Sequence, residues 1–141
     1  MKFTGDHPSR VLKIIPSLMK SVFRLSGSKF YEDELKWDKA FENIDFFCQW
    51  RGAVGMDNRT NFWLKVKIIG EQSSKDKKGT VTIYIQPYIK TEIEYDNTMD
   101  KILGTVYSNL FYKKTVRTYI ERQNLYLRQF ESLLKKELGL R

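Results

Sequence analysis

Three segments in the middle of the chain alternate apolar and polar residues, and this alternation constrains the fold more than any other feature of the sequence. The segments are residues 44–54, 61–72 and 79–95. Because successive side chains of a β-strand point to opposite faces, alternation is typical of a sheet with one buried face. The sequence therefore predicts three consecutive antiparallel strands with an apolar inner face and a basic, aromatic outer face.

The turn between the first two strands follows from matching their apolar residues. A three-residue turn at residues 57–59 places Trp50 opposite Val66, whereas a two-residue turn would place Trp50 opposite Lys65 and mix the two faces. The three-residue turn is therefore predicted, with its second or third residue in a left-handed conformation.

The second hairpin agrees with the first. Pairing Gln72 with Gly79 across a lysine-rich loop places Ile68 opposite Ile83, so that both hairpins bury the same face. Pro87 lacks a backbone N–H and is therefore expected at a sheet edge or a bulge.

A fourth, acidic strand is predicted ahead of these three, because residues 30–37 also alternate. Asp33 falls on the apolar side of this strand. We expect it to lie at a strand end or to cap a backbone group, and a carboxylate with a perturbed pKa is the alternative. Residues 38–43 are expected to form a polar connection or a short helical turn.

A helical spacing of apolar residues follows a polar lead at residues 1–8. Pro16 leaves two interpretations, because proline removes a helix hydrogen bond and favours the first turn. We favour an extended piece at residues 10–15 followed by a helix at residues 16–25. The alternative is one helix that bends at the proline.

The C-terminal apolar row extends over residues 98–138. A single helix of that length would measure about 60 Å, so we expect a break near residues 112–115. The predicted fold is α+β: a four-stranded antiparallel β-meander whose apolar face is covered by an N-terminal helix and a long, broken C-terminal helix. With 141 residues, 41% of them hydrophobic, the chain is expected to form one domain, residues 1–141.

The net charge of +8 is unevenly distributed along the chain. Residues 1–27 carry five basic and one acidic residue (+4), residues 28–45 carry three and six (−3), and residues 97–141 carry nine and four (+5). Residues 46–72 carry +2 and residues 73–96 carry zero. This balance favours polyanions or anionic membrane surfaces as partners.

The expected compartment is the cytoplasm. A single cysteine, Cys48, excludes an internal disulfide and fits a reducing environment. The polar N-terminus does not resemble a signal peptide, and no apolar run approaches the ~20 residues that a membrane span needs.

The outer sheet face is the main candidate site, with cations and aromatic residues interleaved across the strands. Its residues are Arg51, Trp63, Lys65, Lys67, Tyr84 and Tyr88. Arg51 opposite Lys65 costs stability unless an anion lies nearby, and such a surface suits phosphates and stacked bases. In the competing interpretation, Glu32 and Glu34 neutralise the cations, or a helix covers the aromatic rings.

The sequence is also compatible with two other functions. The N-terminal helix could contact a membrane or a partner through an apolar stripe that includes Val11 and Ile15, although the same stripe could pack on the sheet. The cations beside that stripe are Arg10, Lys13, Lys20 and Arg24. A curved sheet around the C-terminal helix, as in helix-grip proteins, could instead enclose an apolar ligand. The C-terminal stripe also allows a homodimer, although a stripe at this spacing is usually core.

No group of residues predicts catalysis or metal binding. His7 and the buried-face Cys48 make an unsuitable nucleophilic pair. The three acidic residues at positions 32–34 point alternately to opposite faces and cannot converge on one ion. The sequence therefore predicts a non-catalytic binding protein without a cofactor or metal, and leaves enzymatic activity as an open question.

Overall fold

The structure, a computed structural model, describes residues 1–91 and 113–140 and forms an α+β fold with one antiparallel sheet. The strands are β1 Lys2–Asp6, β2 Phe30–Ala40, β3 Asn43–Gly55, β4 Thr60–Ser73 and β5 Lys78–Thr91, and the helices are α1 Val11–Val22 and α2 Lys113–Leu138. The strand order is β1-β5-β4-β3-β2. The predicted fold class is confirmed, but the predicted count of four strands is wrong, because the sheet has five.

The additional strand is β1, which lies in the segment predicted to be a polar lead. It pairs with the start of β5, and Phe3 lies opposite Val81 in the core, with 7% of its surface exposed. The N-terminal ammonium donates a hydrogen bond to the carbonyl of Ile83 at 2.9 Å. Because Phe3 is the only large apolar residue of this strand, the alternation is too short to be visible in the sequence.

The predicted pairing of β3, β4 and β5 is confirmed. Trp50 lies opposite Val66, Ile68 opposite Ile83, and Gln72 opposite Gly79. The predicted edge position of Pro87 also agrees with the pairing. Within the described residues β1 reaches only as far as Thr82, so β5 is paired on one side at Pro87.

The predicted left-handed residue in the first turn is wrong. Neither Asn58 nor Arg59 has a positive φ angle. The turn is held instead by Asp57, whose Oδ1 accepts hydrogen bonds from the backbone N–H groups of Arg59 and Thr60, each at 2.8 Å. A side chain that accepts hydrogen bonds from the backbone two and three residues ahead can close a turn without any residue of positive φ.

β2 is longer and less regular than predicted. It continues to Ala40, so residues 38–43 are mostly strand, with a tight turn at Phe41 and Glu42. A β-bulge between Glu32 and Glu34 interrupts its pairing with β3. Because a bulge adds one residue, it exchanges the faces to which neighbouring side chains point. Asp33 therefore lies on the outer face and not among the apolar residues.

α1 runs from Val11 to Val22 with Pro16 in its interior, so the favoured split at the proline is wrong. A proline inside a helix costs about 3 kcal/mol. On either side of it, Ile15 and Met19 are fully buried, and packing of this stripe in the core offsets that cost.

Both helices contribute to the core on the inner face of the sheet. The ring of Phe23, just after α1, lies 5.9 Å from the ring of Phe62 in β4 and 6.1 Å from that of Phe130 in α2. Leu134 and Leu138 of α2 are also buried. α2 itself is continuous from residue 113, whereas the predicted preceding helix and the end of the third meander strand, residues 92–95, lie outside the described residues.

Candidate functional site

The outer sheet face brings together the residues that the sequence predicted. Arg51 lies opposite Lys65, Trp63 opposite Tyr88, and Lys67 opposite Tyr84. We call this surface the basic-aromatic face. Its residues are Tyr31, Arg51, Trp63, Lys65, Lys67, Tyr84 and Tyr88.

Three aromatic rings form a row across this face. The ring centroid of Trp63 lies 6.0 Å from that of Tyr31 and 6.2 Å from that of Tyr88, with interplanar angles of 26° and 6°. Trp63 is thus flanked on both ring faces, and its buried Nε1 has no hydrogen-bond partner within the described residues. Tyr31 was missed in the sequence, because it reaches this face only through pairing with Arg51 beyond the bulge of β2.

Arg51 is held by Asp33 rather than by the two glutamates. Its Nε and a terminal nitrogen donate hydrogen bonds of 2.7 and 2.9 Å to the two carboxylate oxygens of Asp33. The hydrogen bond from Arg51 is the main cause of the lowered pKa of Asp33. The same contact raises the pKa of Arg51. The guanidinium also lies 5.3 Å from the ring centroids of Tyr31 and Trp63, so Arg51 orders the aromatic row.

Glu32 and Glu34 do not neutralise the predicted cations. Glu34 forms an ion pair of 2.9 Å with Lys36 of its own strand. Glu32 turns to the inner face, where its Oε1 accepts a hydrogen bond of 3.3 Å from Nε1 of Trp50. This part of the competing interpretation is therefore wrong, and Asp33 takes the role that it gave to the glutamates.

Lys65 and Lys67 are the cations of this face that are not held directly by a carboxylate. Both side chains are half-buried, and the ammonium of Lys67 lies 4.9 Å from the ring centroid of Tyr84. Neither lysine forms an ion pair within the described part of the chain. An anion at this position would therefore meet two positive charges without displacing a carboxylate.

Three tyrosines of the basic-aromatic face remain accessible. Tyr31, Tyr84 and Tyr88 are 39%, 43% and 40% exposed. α1 and α2 place their buried residues in the core, on the inner face. The described helices thus leave this surface open to solvent.

The other candidate surfaces have their apolar residues inside the core. Arg10, Lys13, Lys20 and Arg24 are exposed, as predicted. The stripe beside them is not, because Val11 and Ile15 are fully buried and pack in the core. The stripe of α2 is likewise used internally by Phe130, Leu134 and Leu138. No described helix combines the length and the apolar character that crossing a membrane requires.

The cysteine and the histidine occupy structural positions. Cys48 is fully buried, and burial together with the charge of Glu32 raises the pKa of its thiol to about 12. The backbone of His7 is left-handed, with a φ angle of 50°, and its backbone N–H donates a hydrogen bond of 2.7 Å to the carbonyl of Lys77. Across residues 1–91 and 113–140, no cluster of three or more acidic, histidine or cysteine side chains could hold a metal ion.

Comparison of this chain with protein-family models, curated protein sequences and solved structures found no match. The chemistry of the basic-aromatic face is therefore the basis for a proposed function.

Proposed function

We propose that this protein is a non-catalytic binding protein that holds single-stranded nucleic acid on its basic-aromatic face. The observation that carries the proposal is the position of Lys65 and Lys67 next to exposed tyrosines, with no carboxylate paired to either lysine in the described part of the chain. A positively charged groove with aromatic side chains is the usual means of holding a single strand without sequence preference.

The lysines and the tyrosines would have different tasks. Lys65 and Lys67 contact phosphates, and each contact releases counterions and makes binding dependent on salt. Bases stack on the accessible rings of Tyr84 and Tyr88, a contact of about 1–3 kcal/mol per base. Trp63 and Arg51 support the surface from within, because the former is flanked by two rings and the latter is neutralised by Asp33.

An acidic row limits the extent of the proposed site. Asp38 lies opposite Asp45, and Asp45 lies opposite Glu71, so three carboxylates follow one another across the outer face. Glu71 is four residues beyond Lys67 on β4, about 13 Å at ~3.3 Å per residue. The acidic row repels phosphates. The bound nucleic acid is therefore confined to the half of the face that carries the lysines.

The proposal is tested with fluorescently labelled oligothymidylate, whose binding is followed by anisotropy at low salt. The double variant Lys65→Ala/Lys67→Ala should lose most of the affinity. The double variant Lys135→Ala/Lys136→Ala removes the same charge from exposed positions of α2 and should retain it. If both variants lost the same affinity, the loss would be explained by net charge alone, and a site on this face would be refuted.

Stacking has its own pair of variants. Tyr84→Ala should weaken oligonucleotide binding about tenfold, within the ~1–3 kcal/mol of one stacked base. Phe41→Ala removes an aromatic ring that is 100% exposed in the β2–β3 turn and should have no effect. Unchanged affinity in Tyr84→Ala would remove base stacking from the proposal.

A further inference from the structure

A cavity of about 350 Å³ lies where the end of α1, the end of β3 and the middle of α2 meet. Its apolar wall includes Phe23, Val54 and Met56, and its polar lining includes Arg24, Arg122 and Gln123. This volume is within the range of small-molecule sites, about 300–1,000 Å³. The cavity borders the helices and is distinct from the basic-aromatic face.

Gln123 is the unusual member of this lining. Only 3% of its surface is exposed, and its Oε1 is buried without a hydrogen-bond partner within the described residues. Its Nε2 donates to Sδ of Met56 at 3.7 Å, and this thioether sulfur is a weak acceptor. Leaving a buried carbonyl oxygen unpaired costs about 1–3 kcal/mol. Exchanging the two amide atoms would only move the deficit to the nitrogen.

Two arginines accompany this amide at the cavity, and both are exposed to solvent. Arg24 and Arg122 both line the cavity, and neither forms an ion pair within residues 1–91 and 114–140. Arg24 is held in a left-handed conformation, with a φ angle of 52°, which is uncommon for a residue with a side chain. Guanidinium groups match the geometry of carboxylate, phosphate and sulfonate oxygens.

We propose that this cavity binds a small amphiphilic anion. Its acidic group is held by Arg24 and Arg122, and its apolar body rests against the wall of Phe23, Val54 and Met56. Oε1 of Gln123, which is covered in this structure, turns toward the ligand and accepts a hydrogen bond from its hydroxyl or N–H. This site does not depend on nucleic-acid binding, because it shares no residue with the basic-aromatic face.

The test uses 1-anilinonaphthalene-8-sulfonate, which combines a sulfonate, an aromatic body and one N–H donor. Isothermal titration should show one saturable site on the intact protein. N-phenyl-1-naphthylamine, which lacks the sulfonate, should bind at least tenfold more weakly. Several weak sites, or equal binding of both probes, would overturn the proposal.

Three variants test whether 1-anilinonaphthalene-8-sulfonate binds in this cavity. Arg122→Ala should weaken binding at least tenfold, whereas Arg128→Ala, an exposed arginine of the same helix that does not line this cavity, should not. Gln123→Leu should raise the melting temperature, since it removes an unpaired buried group, and should still weaken binding. If Gln123→Leu does not fold, binding of the probe by Arg122→Ala alone decides whether the cavity is the site. Unchanged binding in Arg122→Ala, or loss of binding in Lys65→Ala/Lys67→Ala, would refute the assignment.

Discussion

Arg51 and Asp33 hold each other through two hydrogen bonds, of 2.7 and 2.9 Å, beside the bulge of β2. The bulge brings a carboxylate to the outer face at the place where Arg51 lies opposite Lys65. The like-charge contact of the two cations is thereby relieved. The pair also fixes the guanidinium beside the rings of Tyr31 and Trp63, so that it shapes the surface while the lysines keep their charge.

Asp33→Asn should destabilise the protein in a pH-dependent way. The pKa of Asp33 in the folded protein is below its ordinary value of 3.8, so the carboxylate stabilises the fold above that pH and loses this effect as pH falls through the folded pKa. Because both partners are partly exposed, the difference at pH 7 should be less than about 1 kcal/mol. Urea unfolding at pH 7 and at pH 3 measures it. A difference that does not shrink at pH 3 would contradict this role of the ion pair.

Cys48 should not react in the native protein. The thiol is fully buried, and its raised pKa of about 12 keeps it protonated at pH 8. Iodoacetamide at pH 8 should modify the unfolded chain within minutes and leave the folded protein intact over hours, as followed by mass spectrometry. Rapid modification under native conditions would mean that β3 is accessible at this position.

Phe130→Ala and Leu125→Ala form a matched pair on α2. Phe130 is fully buried, whereas Leu125 is 69% exposed. Truncating the buried ring should lower the free energy of unfolding by about 3–5 kcal/mol. Truncating the exposed leucine should change it by less than about 0.5 kcal/mol. Chemical unfolding at two protein concentrations measures both. Dependence on concentration would indicate that α2 packs against a second copy instead of its own sheet.

Strand pairing could be predicted from the sequence because the two hairpins agreed on one buried face. Matching of apolar residues selected the turn length in the first hairpin, and the second hairpin then buried the same face, which gave the observed partners of Trp50 and Ile68. In the N-terminal helix, the local preference of proline for a helix start was outweighed by tertiary packing. Pro16 marked a helix start by propensity, but the buried residues around it keep the helix intact.

Parts of the candidate site could not be predicted, because a single residue changed the alternation. The bulge in β2 exchanged the faces of Glu32 and Asp33 and brought Tyr31 beside Trp63. No composition or spacing rule reveals such an insertion in one sequence. Gln123 did leave a signal. It occupies a position within the apolar row of the C-terminal helix, where a polar residue is unexpected.

The salt dependence of oligonucleotide binding tests the role of the basic-aromatic face most directly. Affinity is measured by anisotropy between 50 and 500 mM salt for the wild type, for Lys65→Ala/Lys67→Ala and for Lys135→Ala/Lys136→Ala. Each phosphate contact on a single strand contributes about 0.7 to the slope of log K against log salt, so losing two contacts should make the slope shallower by about 1.4. The α2 control should keep the wild-type slope. Identical slopes in the wild type and the Lys65/Lys67 variant would contradict a phosphate site on this face.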